Sequence, residues 1–214
     1  MDTKYPQHEL YEKLYARYFK RPVTELTDLA NVQKSDKVLD ICGGGGRLTK
    51  QLATMSDFVS YLDQEADMIP SDLTDKGIKV YNTSIQEFLK MHKEKYNKVF
   101  CQQAINYWLN GVEIEDFANI FEQNGLFVFN TFNNKPTEKP MVKEYEYGGA
   151  NFIETSHLVD DKVHHVQIRE GYAPLYTVFD WIPEEKIKGK LGSHFDIEVL
   201  KDNATAIYKC ERRQ

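Results

Sequence analysis

The chain has 214 residues, 41% hydrophobic and 13% aromatic, which suits one well-buried core and falls short of two. Its formal charge is −6 and its Lys and Arg residues are scattered among acids, so it lacks the basic footprint that holds a nucleic-acid backbone. No window approaches the roughly 18 apolar residues of a membrane span, and the opening stretch MDTKYPQHELYEKLYARYF has no apolar leader, so a soluble, cytoplasmic protein is expected.

The first predicted element is a helix over residues 8–19, where Leu10, Tyr11, Leu14, Tyr15 and Tyr18 follow helical spacing. KVLDI is a short buried strand, and four glycines separate it from a helix through RLTKQLATM. FVSYLD and GIKVYN are the next strands. SIQEFLKMHKEK follows as a helix, with Ile85, Phe88, Leu89 and His92 on one face. KVFCQQ is the fourth strand, VEIEDFANIFEQ a helix, and GLFVFNTF a fifth strand rich in aromatic and β-branched residues. Alternation of this kind predicts an α/β fold, a doubly wound parallel sheet covered by helices on both faces.

The last third changes character. ANFIETSHLV and KVHHVQIREGY are strand-like runs joined by Asp160 and Asp161, residues suited to a hairpin turn, and YTVFDWI adds a third strand. A helix follows Pro183 and runs to Leu191, and HFDIEVL with ATAIYKC forms a closing hairpin whose last strand runs antiparallel to its neighbour. Cys42, Cys101 and Cys210 are far apart and odd in number, the pattern of reduced thiols, and no metal-ligand spacing is present.

The stretch VLDICGGGGRL puts a strand ending in Asp40 before a glycine corner and a helix. That arrangement places backbone N–H groups and a helix N-terminus in a crevice at the carboxyl end of a parallel sheet. Glycine lets a ligand touch the main chain where a Cβ would stand in the way, so Gly44 and Gly46 are expected to make room for a nucleotide-like cofactor. Asp63 closes the next strand 17 residues beyond Gly46, near the spacing for a carboxylate that accepts from ribose hydroxyls.

On these residues the chain resembles the class I S-adenosylmethionine-dependent methyltransferases. Asp40, Gly44 and Gly46 match the first motif, with Cys42 at its first glycine. Asp63 with Gln64, in YLDQEADMI, matches the acid ending the second strand, and Met68 falls where the family places an apolar residue against adenine. NTSIQEFL is similar to the segment bordering the adenine, with Ser84 in place of an acid and the N–H of Ile85 available to adenine N1. YNKVFCQQAINYW resembles the fourth strand and its active-site loop, which puts Gln102 near the methionyl end, and Asn97 stands where an aspartate is usual. The terminal hairpin resembles the sixth and seventh strands. The resemblance implies S-adenosyl-L-methionine as cofactor, a seven-stranded Rossmann-like sheet with an antiparallel last strand, and a first helix capping the pocket through Tyr11 or Tyr15. The departures at Cys42, Ser84 and Asn97 imply weakened rather than absent cofactor binding.

The acceptor is read from less. The tetrapeptides NPPY and DPPY, which mark family members acting on base or amide nitrogens, are absent, and with the acidic charge this favours nitrogen or oxygen of a small molecule. Asn106, Tyr107 and Trp108 follow the fourth strand and are placed near the acceptor, against the alternative that Tyr107 and Trp108 pack the next helix. On a strand His165, Gln167 and Arg169 share one face and His164, Val166 and Ile168 the other. If the second set faces the core, the first faces a cleft or solvent. Residues 143–181, with Arg169 and Tyr172, form an antiparallel insertion within a single 1–214 domain, either a lid over the pocket or the interface of a homodimer. Two other classes remain open: a nicotinamide-dependent oxidoreductase, although CGGGGRL does not register as G-x-G-x-x-G, and a non-catalytic cofactor-binding protein.

Overall fold

Hydrophobic alternation resolves into two sheets in the computed structural model, which describes residues 24–147, 150–169, 174–201 and 205–214. In chain order the elements are helical residues 24–30 (α1), β1 Lys37–Ile41, α2 Arg47–Met55, β2 Phe58–Asp63, β3 Lys79–Asn82 and α3 Ile85–Met91. Next come β4 Tyr96–Gln102, α4 Ile105–Trp108, α5 Ile114–Ala118 and β5 Phe121–Phe132. The second sheet is β6 Met141–Tyr147, β7 Ala150–Val159, β8 Lys162–Arg169 and β9 Leu175–Asp180, and α6 Glu184–Leu191, β10 Phe195–Lys201 and β11 Thr205–Arg212 close the chain. The helix expected over residues 8–19 lies outside the described residues.

The large sheet has the order β10-β11-β5-β4-β1-β2-β3, with β1 to β5 parallel and β11 antiparallel to both neighbours. Alternate residues fill opposite faces. Leu39, Ile41, Val99, Phe127 and Phe129 pack with Phe88, Phe117 and Ile187 of α3, α5 and α6. Val38, Phe100, Val128 and Ile207 pack with Leu26, Ala30, Leu48 and Leu52 of α1 and α2. The order reverses between β1 and β4, and a crevice opens beyond the carboxyl ends of strands at such a point. Asn97 accepts the N–H of Lys37 at 2.8 Å, so it anchors the start of β1 without a carboxylate.

Two boundaries differ from expectation. The helix expected over 112–123 stops at Ala118, because Phe121 is buried beside Phe117 and pairs with Tyr96 as the first residue of β5. A register shift and the left-handed Asn124, at φ 66, absorb the change. The insertion, expected from residue 143, begins two residues earlier with β6 at Met141. MVKEYEY carries three charges, a composition that edge strands tolerate and central strands do not.

Asp160 and Asp161, at φ 49 and 59, make the expected two-residue turn of left-handed residues. The faces of β8 are reversed from the conditional reading: Val163 and Gln167 are 2% exposed whereas Ile168 is 39% exposed, so His165, Gln167 and Arg169 look inward. Phe179 of β9 stacks on Phe132 at 6.0 Å and meets Tyr107 at 5.4 Å, which seats this sheet over the carboxyl ends of β4 and β5. No helix among the described residues is long and apolar enough to cross a membrane.

Candidate functional site

The glycine corner is built by packing before it meets any ligand. A Cβ on Gly43 would lie 2.4 Å from the Tyr61 ring, and one on Gly46 would lie 2.9 Å from Pro70. Pro70 and a φ of 70 exclude side chains at Gly46, so packing alone already requires the glycine expected there. Gly44 donates its N–H to Asp63 Oδ2 at 2.9 Å, and its carbonyl accepts the Tyr61 hydroxyl at 2.7 Å. Cys42 adopts φ 55, a left-handed conformation that costs a residue with a Cβ about 1–2 kcal/mol. Cys42→Gly is expected to fold normally, trading thiol packing for relief of strain. Cys42→Val is expected to lose about 1–3 kcal/mol by chemical denaturation, since branching worsens the same strain.

Asp40 is fully buried. Thr49 of α2 donates to its Oδ2 at 2.5 Å, and Oδ1 has no hydrogen-bond partner. Burial, opposed by the Thr49 hydroxyl and reinforced by the Asp63 carboxylate, pushes the Asp40 carboxyl up to about 7. The folded chain thus keeps a proton that the unfolded chain releases near its ordinary value of 3.8, so this group's contribution to stability declines as pH rises from about 4 to about 7. A buried acceptor without a donor is costly alone and favourable opposite a cation.

Asp63 is 8% exposed at the end of β2. Its Oδ2 holds Gly44 and its Oδ1 accepts the N–H of Glu65 at 2.9 Å, while burial raises its pKa against those bonds. A carboxylate offers about four acceptor sites, so two remain for a pair of hydroxyls. Gln64 is exposed beside it, and Asn82 donates to the carbonyls of both Asp63 and Gln64 at 3.0 and 3.1 Å. Met68, 3% exposed, sits in a single tight helical turn after β2. Ser84 caps α3 by accepting the Glu87 N–H, and Ile85 opens that helix, whose first-turn N–H groups have no intrahelical acceptor. Gln102 ends β4 with its Nε2 buried and without a partner.

The residues placed near the acceptor divide. Asn106 is 4% exposed; its Oδ1 accepts from Thr131 at 2.6 Å and its Nδ2 donates to the Asp180 carbonyl at 2.7 Å, so it clamps β5 and β9 to α4. Trp108 is 3% exposed, with its indole N–H on Cys101 Sγ at 3.4 Å and its ring 5.1 Å from Phe117. The polar groups of Asn106 and Trp108, expected near the acceptor, are thus engaged within the fold. Tyr107 is 48% exposed against Phe179.

On the inner face of the second sheet His165 Nδ1 lies 2.8 Å from Ser156 Oγ, and burial lowers the pKa of its imidazole. Beside it Glu154 accepts from Tyr145 and Gln167, both at 2.6 Å, and the Arg169 guanidinium lies 5.6 Å from the centre of the Phe152 ring. Tyr11, Tyr15 and Tyr172 lie outside the described residues. Sequence reasoning missed Thr49, Tyr61 and Asn130. Tyr61 and Asn130 lie in the largely apolar runs FVSYLD and FVFNTF, where a polar group signals a buried hydrogen bond, whereas Thr49, in RLTKQL, carries no such signal.

No family model matches the sequence. A ubiquinone biosynthesis O-methyltransferase of Glaesserella parasuis serovar 5 (strain SH0165) is 26% identical over 118 residues, and this match spans about half of each chain. Among solved structures, an S-adenosylmethionine-dependent methyltransferase from Clostridium acetobutylicum ATCC 824 is similar over 96% of this chain and 97% of that one, with a TM-score of 0.71 at 16% identity. An amino pentose methyltransferase from Micromonospora echinaspora, with S-adenosylmethionine bound, matches over 100% of both chains, with a TM-score of 0.72 at 13% identity. A sugar N-methyltransferase from Streptoalloteichus sp ATCC 53650 covers 100% of this chain and 96% of that one, with a TM-score of 0.71 at 12% identity. The chain has the class I S-adenosylmethionine-dependent methyltransferase fold, and at these identities the likeness is one of fold.

Proposed function

We propose that this chain is an S-adenosylmethionine-dependent methyltransferase acting on nitrogen or oxygen of a small molecule. The observation that carries the reading is the pair of buried acids at the switch point of the sheet. Asp63 offers acceptors to ribose hydroxyls, and Asp40, one strand further in, offers its unpartnered Oδ1 to an ammonium group. When bound, the cofactor supplies a methyl group on a sulfonium that is already activated to leave. The protein is left to align the acceptor's lone pair and exclude water.

The second sheet, standing over β4 and β5, supplies the cover. An amine acceptor must shed a proton before it can attack, and the imidazole of His165, kept neutral by burial and oriented by Ser156, is suited to hold that proton. The likeness to sugar and amino pentose methyltransferases supports an aminated acceptor, and the curated O-methyltransferase supports a hydroxyl. An acidic chain fits a small molecule better than nucleic acid. The outward face of the second sheet, where Val142, Ile153, Ile168 and Tyr176 are exposed, fits pairing with a second copy.

Incubation with methyl-labelled S-adenosylmethionine and a panel of amino sugars and phenols tests this reading. Labelled product together with S-adenosylhomocysteine is expected. Tight cofactor binding with no acceptor labelled would favour a non-catalytic binding protein. Asp40 adds a pH signature: its carboxyl must ionise to pair with an ammonium, so cofactor affinity is expected to rise between about pH 6 and about pH 8. In Asp40→Asn that rise should disappear, as followed by calorimetry.

A further inference from the structure

Asn130 sits at the carboxyl end of β5, fully buried within the aromatic run FVFNTF. Its Oδ1 accepts the N–H of Gln103 at 2.8 Å, and this bond steadies the left-handed Gln103 at φ 53. That bond fixes the orientation of the amide, because a flipped group would set NH2 against N–H. Nδ2 is therefore a true donor, and it is buried with no acceptor. Gln102 is its register partner on β4, and its Nε2 is buried and unpartnered as well. Strand alternation puts both side chains on the face of Phe100 and Val128, the α1 and α2 side, which is also the face of Asp40.

Two adjacent amide donors left unpaired in a buried place cost free energy unless a ligand supplies acceptors. A carboxylate suits them, since it has two oxygens, no donor of its own, and sites for both amides at once. We propose that Asn130 and Gln102 form a carboxylate-binding subsite at the β4–β5 end of the crevice. This rests on the reading of the crevice as a cofactor site, and it holds whichever acceptor atom is methylated. The carboxylate belongs either to the amino-acid end of the cofactor or to the acceptor.

The test uses the full chain labelled with nitrogen-15, with the two side-chain amides assigned through Asn130→Asp and Gln102→Glu. Asn130→Asp keeps the oxygen that holds Gln103 and replaces the donor with an acceptor, and Gln102→Glu does the same at a strand end, so neither change removes a packing group. Three probes are titrated: S-adenosylhomocysteine, 5′-methylthioadenosine, which lacks the amino-acid end, and acetate added to protein saturated with S-adenosylhomocysteine. Shifts of both amides with S-adenosylhomocysteine but not with 5′-methylthioadenosine assign the carboxylate to the cofactor. Shifts only on adding acetate assign it to the acceptor. In either case the variants are expected to bind the responsible probe at least about tenfold more weakly, read on samples whose backbone amide spectra show them folded. Equal shifts with both nucleosides, no shift with any probe, or unchanged affinity in both variants would overturn the proposal. If neither nucleoside binds, the cofactor reading fails, and acetate titrated into the free protein decides the subsite: shifts of both amides support it and their absence overturns it.

Discussion

Replacing Asp63 by alanine is expected to lower affinity for S-adenosylhomocysteine by at least about a hundredfold, from the loss of two hydrogen bonds to a charged acceptor at roughly 1.5–3 kcal/mol each. The structure adds a second consequence. The same carboxylate holds the N–H groups of Gly44 and Glu65, so its removal leaves both donors unsatisfied at the glycine corner. The melting temperature is therefore expected to fall along with affinity. Asp63→Asn separates the two effects, since its single oxygen can keep one backbone bond while the charge is gone. Calorimetry and thermal melting of both variants check this, and an unchanged affinity in Asp63→Ala removes the residue from the site.

Excising the second sheet is expected to abolish methyl transfer while leaving cofactor affinity within a few-fold. Removing only residues 150–172 would strip β7 and β8 from between β6 and β9 and leave both outer strands unpaired, so the cut belongs at 141 and 180, closed by a Gly-Ser linker. Asp40, Gly44 and Asp63 lie on β1, β2 and their connection and bond to Thr49, Tyr61, Glu65 and each other, all outside the removed strands. Asn106 loses its partner at the Asp180 carbonyl, and Phe132 loses Phe179, so a modest loss of stability accompanies the cut. Light scattering on the eluting variant distinguishes the roles: turnover lost in a chain of unchanged oligomeric state supports a lid. A dimer that becomes a monomer with normal turnover makes the sheet an interface.

The order of strands and helices was legible because it rests on local patterns: buried parallel strands are continuous apolar runs, and their helices carry one apolar face. The same logic fails where a tertiary contact decides. Phe121 fits a helix as well as a strand, and only its place against Tyr96 and Phe117 makes it the first residue of β5. The charged β6 lies at a sheet edge, where burial leaves no alternation to read. In the site, acids at strand ends could be found from sequence because their positions follow from topology. The use to which each polar group is put could not. Asn106 and Trp108 stand at the right end of β4, yet Thr131, Asp180 and Cys101 occupy their hydrogen-bonding groups. The parity of β8 was undecidable for a related reason: both of its faces carry apolar residues and histidine, so the pattern does not say which face turns inward.

Calorimetric titration of the purified chain with S-adenosylhomocysteine tests the cofactor site most directly. One binding site per chain is expected, lost in Asp63→Ala and dependent on pH through Asp40. No binding of S-adenosylhomocysteine or S-adenosylmethionine, or binding unaltered by changes at both acids, would contradict the account.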